Sequence, residues 1–273
     1  MKRFLTLMLA TVVMMIAVFF SSNRSDAALD NNGSYDIDWV NEEDIVTTTY
    51  IKDTALDNED AVKELLRSMG MSEAFIAEID RDQLALYTKC ERMKGFYIKN
   101  DDITANADVR MFLLVTYLGE GRYLLSLDVE WITVPECRDI DLIGISTTNV
   151  CDVLLSTRLG WYTYKNDDGV KRKVELTDEC LFDTGMSGWN GSCARVSLKE
   201  DTCSELKVHY QLQLCTSTYS DSPGFDVMAS YDHTTFSFLN FDTTPIMKDR
   251  NGKGIMELNG DNNAKLMVLP TKW

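Results

Sequence analysis

Residues 111–134 read M-F-L-L-V-T-Y-L-G-E-G-R-Y-L-L-S-L-D-V-E-W-I-T-V, and their period decides the fold. After Gly119-Glu120-Gly121, the residues Tyr123, Leu125, Leu127, Val129 and Trp131 alternate with Ser126, Asp128 and Glu130. A period of two puts successive side chains on opposite faces of a strand. An apolar run precedes the glycines, so the stretch predicts a β-hairpin.

The same signal continues downstream. W-Y-T-Y-K at 161–165 and V-K-R-K-V-E-L at 170–176 flank the turn N-D-D-G, in which Asp167 and Asp168 are turn residues. Further strands are expected at A-R-V-S-L (194–198), L-K-V-H-Y-Q-L-Q-L (206–214), T-T-F-S-F-L (234–239), G-I-M-E-L (254–258) and A-K-L-M-V-L (264–269). Asn251-Gly252 and Asn259-Gly260 supply turns between the last of these. Many short strands with little helix between them indicate an antiparallel sandwich or barrel.

Upstream of residue 96 the period changes. Asp57 can cap A-V-K-E-L-L-R-S-M, which Gly70 stops, and Ser72 can cap E-A-F-I-A-E-I. Asp80 with Gln83 opens L-A-L-Y-T-K-C-E-R-M-K in the manner of a capping box, and Gly95 is expected to end it. Residues 28–56 are polar and acidic and read as a linker with one short strand. The fold class is therefore α+β, a short N-terminal helical segment (57–95) followed by an antiparallel β-sandwich-like domain (96–273).

The first 27 residues combine Lys2 and Arg3, an uncharged apolar run from Phe4 to Phe20, and the small residues Ser25 and Ala27. That is the anatomy of a secretory signal peptide with cleavage before Ala28. Membrane contact is expected only through this segment, were it retained. Its removal lowers the basic count from 27 to 24 and the acidic count from 43 to 42, a net charge of -18. Such a surface repels phosphate backbones, so nucleic acid is excluded as a partner. The helical tract has the outline of a DNA-reading helix pair, but six basic residues face nine acidic ones over 57–94. A secreted or cell-surface location is expected.

Seven cysteines stand at 90, 137, 151, 180, 193, 203 and 215. In an exported chain they predict disulfides. The odd number leaves one unpaired, for which Cys90 is the candidate. Cys203 and Cys215 bracket one uninterrupted strand, and twelve steps of about 3.3 Å separate them too far to bridge. Cys180 and Cys193 bracket a Gly-rich segment that can double back, and this pair is the expected disulfide.

That segment, C-L-F-D-T-G-M-S-G-W-N-G-S-C, also spells the Asp-Thr-Gly of aspartic proteases at Asp183. Those enzymes need two carboxylates sharing one proton. Here the tripeptide occurs once, the later F-D-T-T lacks the glycine, and Met186 follows where a small residue is usual. The tripeptide is read as a structural loop. A secreted hydrolase built on Asp183 is the alternative to a binding protein.

Other chemistry is thinner. Asp249 and Asn251 suit the first positions of a calcium loop, but Lys253 and Gly260 stand where ligand oxygens belong. No metal and no cofactor are expected. His209 alternates with Lys207, Gln211 and Gln213 and reads as a solvated strand residue. His233 beside Asp232 lacks a nucleophile, and no G-x-S-x-G is completed. Trp161 and Trp189, at turns or strand starts, are candidate stacking surfaces for a glycan or cell-wall ligand, although Trp is generally well buried.

The helical stretch A-V-K-E-L-L-R-S-M-G-M-S-E-A-F-I-A-E-I, with V-E-W-I-T-V-P and D-L-I-G-I-S, resembles a loose group of exported proteins of Gram-positive bacteria. The group has no assigned function, so the resemblance implies export and transfers no site residues. Together these readings favour a non-enzymatic surface or secreted binding or structural protein.

Overall fold

The alternation of residues 123–131 is realised in the middle of a large antiparallel sheet. The computed structural model describes residues 38–39, 45–52, 58–98, 109–134, 140–148, 151–186, 189–198, 202–216, 225–234 and 262–270. At 38–39, 98, 148, 182–186, 189, 202–203, 232–234 and 262–270 it describes the backbone alone. The chain divides into two units, Met1–Ile37 and Asp38–Trp273, and the sheets and helices belong to the second. The signal segment, Cys137, Asp249, Asn251 and the expected strands at 235–239 and 254–258 lie outside the described residues.

The strands are β1 (Asp38–Trp39), β2 (Ile45–Ile51), β3 (Arg92–Ile98), β4 (Val109–Gly119), β5 (Arg122–Trp131), β6 (Ile140–Thr148) and β7 (Cys151–Asn166). They continue with β8 (Lys171–Glu175), β9 (Leu181–Met186), β10 (Trp189–Ser197), β11 (Thr202–Thr216), β12 (Asp226–Thr234) and β13 (Asn262–Pro270). Between β2 and β3 lie helices α1 (Glu59–Ser68), α2 (Glu73–Ile76) and α3 (Arg81–Thr88). Among the described residues the strands form a seven-stranded sheet, β2-β3-β4-β5-β11-β7-β8, and a six-stranded sheet, β1-β13-β12-β6-β10-β9. Every pairing is antiparallel except the short parallel contact of β1 with β13.

The hairpin turns where the sequence places it, with Gly119, Glu120 and Gly121 all in the left-handed region (φ 89°, 54° and 71°). The N-D-D-G turn likewise joins β7 to β8, closed by Asn166 Oδ1 accepting from the Val170 amide at 2.9 Å. β11 runs unbroken through both Cys203 and Cys215, as the alternation of 206–214 requires.

Both faces of the seven-stranded sheet are covered. Leu125, Leu127 and Val129 of β5, Leu113 and Val115 of β4, and Val208, Tyr210 and Leu212 of β11 point inward. They meet Ile143, Ile145, Ala194, Val196, Val227 and Ala229 of the six-stranded sheet, which makes the sandwich core. At one end of the core Trp131 Nε1 donates to Tyr231 Oη at 2.9 Å, and Tyr231 donates in turn to Asp141.

The outer face carries the helices. Val62, Leu66 and Met69 of α1 and its C-terminus, Phe75 and Ile76 of α2, and Leu84 and Tyr87 of α3 pack on Met93, Phe112, Leu114, Leu124 and Trp161. The helices are thus not a segment preceding the β domain but a third layer, inserted after its first described strands. β2 is itself the edge strand of the sheet within the stretch read as a linker.

Side-chain capping is realised at α1 and α3, with a shift of a residue at α1, whereas Ser72 occupies the N-cap of α2 without a capping bond from its hydroxyl. Asn58 Oδ1 accepts from the Ala61 amide at 2.8 Å, so Asn58 rather than Asp57 caps α1. Asp80 Oδ1 accepts from Gln83 N at 2.8 Å. The third helix departs from expectation: it ends at Thr88, and the chain is a strand from Arg92. Gly95 is therefore no helix stop. It lies mid-strand beneath the helices, where a Cβ would sit 2.8 Å from Thr48 Oγ1 and 3.2 Å from Met69 O.

Candidate functional site

Polar residues on the outer face of β5 and β11 fall under the helices and so become buried. Strand register sets three rows across the sheet. Phe112, Asp128, His209 and Trp161 form one, Arg110, Glu130, Lys207 and Thr163 the next, and Leu114, Ser126 and Gln211 the third.

At the centre, Asp128 is 1% exposed and His209 3%. His209 Nδ1 donates to Asp128 Oδ1 at 2.6 Å, and Nε2 lies 3.2 Å from Gln211 Oε1. Gln211 Oε1 is held as an acceptor by Gln83 Nε2 of α3 at 2.6 Å. Both ring nitrogens are thus engaged by side-chain oxygens, which fixes the orientation of the imidazole against Asp128. Trp161 stacks on the imidazole with centroids 5.0 Å apart and 20° between planes. Lys173 Nζ sits 4.5 Å from the centroid of the same indole. Tyr87 of α3 reaches Ser126 Oγ at 3.3 Å, and burial pushes its phenol well above the ordinary range, so it stays protonated.

Next to this network a cavity of about 240 Å³ opens between the sheet and the α1–α2 connection. Asp128 forms part of its floor, Phe75, Tyr97 and Phe112 its aromatic walls, and Ser72, Arg110 and Glu130 its rim. Two buried polar atoms among these residues have no partner among the described residues: Asp128 Oδ2 and Ser72 Oγ. An unmet buried acceptor costs about 1–3 kcal/mol. Glu130 is partly balanced by Lys207 Nζ at 3.9 Å, whereas Arg110 at the exposed edge has no ion-pair partner among the described residues.

The residues singled out in the sequence fall elsewhere or change character. Trp161 is 4% exposed and packs on Phe75 and His209, so it is a core residue and not a stacking surface. His209 is not solvated, because α3 and Trp161 cover it. Asp183-Thr184-Gly185 is not a loop but part of edge strand β9, paired with Ser192, Gly191 and Asn190. The side chains of Asp183, Trp189 and His233 lie outside the described residues. The segment does double back, as a β9–β10 hairpin. Cys180 nevertheless carries a thiol, its Sγ 3.7 Å from Thr177 Oγ1, and the expected bridge to Cys193 is not formed. Cys193 is buried on β10 opposite Phe182 and Gly144, and Cys180 sits on a 3-10 turn before β9 begins. Cys90 is a free buried thiol, pushed up to about 11 by desolvation. Among the described residues no group of three or more His, Cys, Asp or Glu side chains is placed to hold a metal. No described helix is long and apolar enough to cross a membrane.

Asp128, Ser72 and Arg110 were not legible as site residues. The available signal was S-L-D-V-E, three polar residues on one strand face, together with helices whose apolar stripes needed a sheet face to cover.

No family model matches the chain, and no curated protein matches it. Among solved structures, the collagen-binding subdomain of the Enterococcus faecalis surface protein ACE aligns at 9% identity, covering 55% of this chain and 90% of that one, with a TM-score of 0.31. AvmM, which catalyses macrocyclization in alchivemycin A biosynthesis, aligns at 12% identity over 56% and 80%, with a TM-score of 0.32. A collagen-binding domain from a Staphylococcus aureus adhesin aligns at 7% identity over 55% and 89%, with a TM-score of 0.28. Likeness at this level carries no argument about what the chain binds or does.

Proposed function

We propose that this is an exported, non-enzymatic binding protein, in which the sandwich is the scaffold and the helix-covered face of the seven-stranded sheet holds the ligand. The observation that carries the reading is Asp128, which lines an aromatic-walled cavity and has one buried oxygen without a partner among the described residues. Buried polar atoms are normally satisfied, and one that is not calls for a functional explanation. A volume of 240 Å³ is below the roughly 300–1,000 Å³ of pockets that take drug-sized ligands, so the ligand is small or enters only in part.

Holding rather than transforming the ligand fits the imidazole. Both nitrogens of His209 are engaged and its face is covered by Trp161, so it is positioned to fix Asp128 rather than to exchange protons with a guest. The leader-like residues 1–27 and the acidic surface favour work outside the cell on neutral or cation-bearing ligands.

The test is a thermal-shift panel of glycans, cell-wall fragments, peptides and small metabolites against the wild type and Asp128→Asn. A compound that raises the melting temperature of the wild type only, and is recovered unchanged, supports the reading. Turnover of any panel member, or stabilisation that ignores position 128, contradicts it.

A further inference from the structure

We infer that the cavity takes a small zwitterion, an α-amino acid or a close equivalent, with its ammonium on Asp128 and its carboxylate on Arg110. The inference rests on the binding reading and names the ligand class for that site.

The cavity offers three unlike features in fixed order. Asp128 lines it, and its Oδ2, a carboxylate oxygen that can only accept, is buried without a partner among the described residues. Ser72 Oγ, in another lining residue, is also without a partner among the described residues. Its rim presents Arg110, a cation without an ion-pair partner among the described residues, whose planar fork matches a carboxylate. Arg110 stands opposite Glu130, one same-face step along β5 from Asp128, so the two charged ends lie on adjacent strands. Diagonal neighbours of this kind are about 7–8 Å apart at the backbone, within reach of long side chains. Between them stand the aromatic walls Phe75, Tyr97 and Phe112, an apolar surface for a side chain.

An ammonium carries three donors and no acceptor, the complement of Asp128 Oδ2. A polyol would instead need several neutral amide or hydroxyl partners, and of the residues lining the cavity Ser72 alone brings an aliphatic hydroxyl. An inorganic anion would be repelled by Asp128 and Glu130. A simple amine would leave Arg110 unused.

The experiment is calorimetric titration of the full chain with L-leucine, L-leucinamide, N-acetyl-L-leucine and N-acetylglucosamine. L-leucine is expected to bind. The amide, lacking the carboxylate, and the acetylated form, lacking the ammonium, are each expected to bind at least tenfold more weakly. Asp128→Asn should lose at least tenfold for L-leucine and for L-leucinamide. Arg110→Gln, at an exposed position where folding is not at risk, should lose tenfold for L-leucine and leave L-leucinamide unchanged. Equal binding of the three leucine compounds, or indifference of L-leucine to Arg110→Gln, overturns the inference. No binding of L-leucine also overturns it. Binding of N-acetylglucosamine alone, dependent on Asp128, overturns the zwitterion and leaves the binding site standing.

Discussion

Asp128 and His209 show how one pair of side chains links the layers. The carboxylate is on β5 and the imidazole on β11, while Gln83 on α3 fixes the amide that meets the other ring nitrogen. Removing one partner of a buried hydrogen-bonded pair costs about 1–3 kcal/mol, because the other group is left unsatisfied. His209→Ala should therefore lose that amount in urea unfolding, with part of the loss coming from the unstacked Trp161. A loss below about 1 kcal/mol, as typical of an exposed ion pair, would mean that the pair is solvated. Titration of the thiols belongs to the same scale. Burial moves Cys90 from 9.0 to about 11 and Cys151 to about 12. Both shifts favour the neutral thiol in the folded state. Their contribution is complete below pH 9, where folded and unfolded chains are both protonated. It is lost as pH rises towards 11 and 12, because the unfolded chain releases its protons first. The melting temperature should fall across that window, and Cys90→Ala should flatten the lower part of the fall. A melting temperature constant to pH 11 would contradict the burial of both thiols.

At the scale of elements, the helices depend on close approach to the sheet. Gly95 is where α1's C-terminal carbonyl, Thr48 and Phe112 converge, and a methyl group there meets atoms at 2.8–3.2 Å. Gly95→Ala should cost about 1–3 kcal/mol through overpacking, read as a lowered urea midpoint. Unchanged stability would show that the helical layer sits further from β3. The same residue shows where sequence reading stops. A glycine after K-C-E-R-M-K looks like a helix stop, and nothing local reveals that its constraint comes from Thr48, 47 residues away. The hairpins of β4–β5 and β7–β8, the unbroken β11 and the starts of α1 and α3 were legible because period and capping are local. The burial of Ser126, Asp128, Lys207 and His209 was not, since a polar strand face looks the same under water or under a helix. Trp161 was misplaced for the same reason: only the β7–β11 register brings it against His209.

At the scale of the molecule, the chain is a sandwich with one sheet buried on both faces. That arrangement explains why a row of charged residues persists inside it. A purely structural interface between helices and sheet would be better served by apolar residues of similar volume, which are often neutral or stabilising in place of a buried ionic pair. The polar row thus costs stability, and the unmet oxygen of Asp128 adds to the cost. Both are accounted for if a ligand completes the set. The site also couples α1, α2 and the sheet, so occupancy should tighten the helical cover and not the β-hairpin edges.

Amide chemical-shift mapping of the isotopically labelled chain during titration with L-leucine tests this most directly. The account predicts shifts confined to the cavity and its cover, at Gly70, Ser72, Phe75, Phe112, Asp128 and His209, and abolished by Asp128→Asn. Shifts centred on the β9–β10 hairpin, or a spectrum unmoved at saturating leucine, would contradict it.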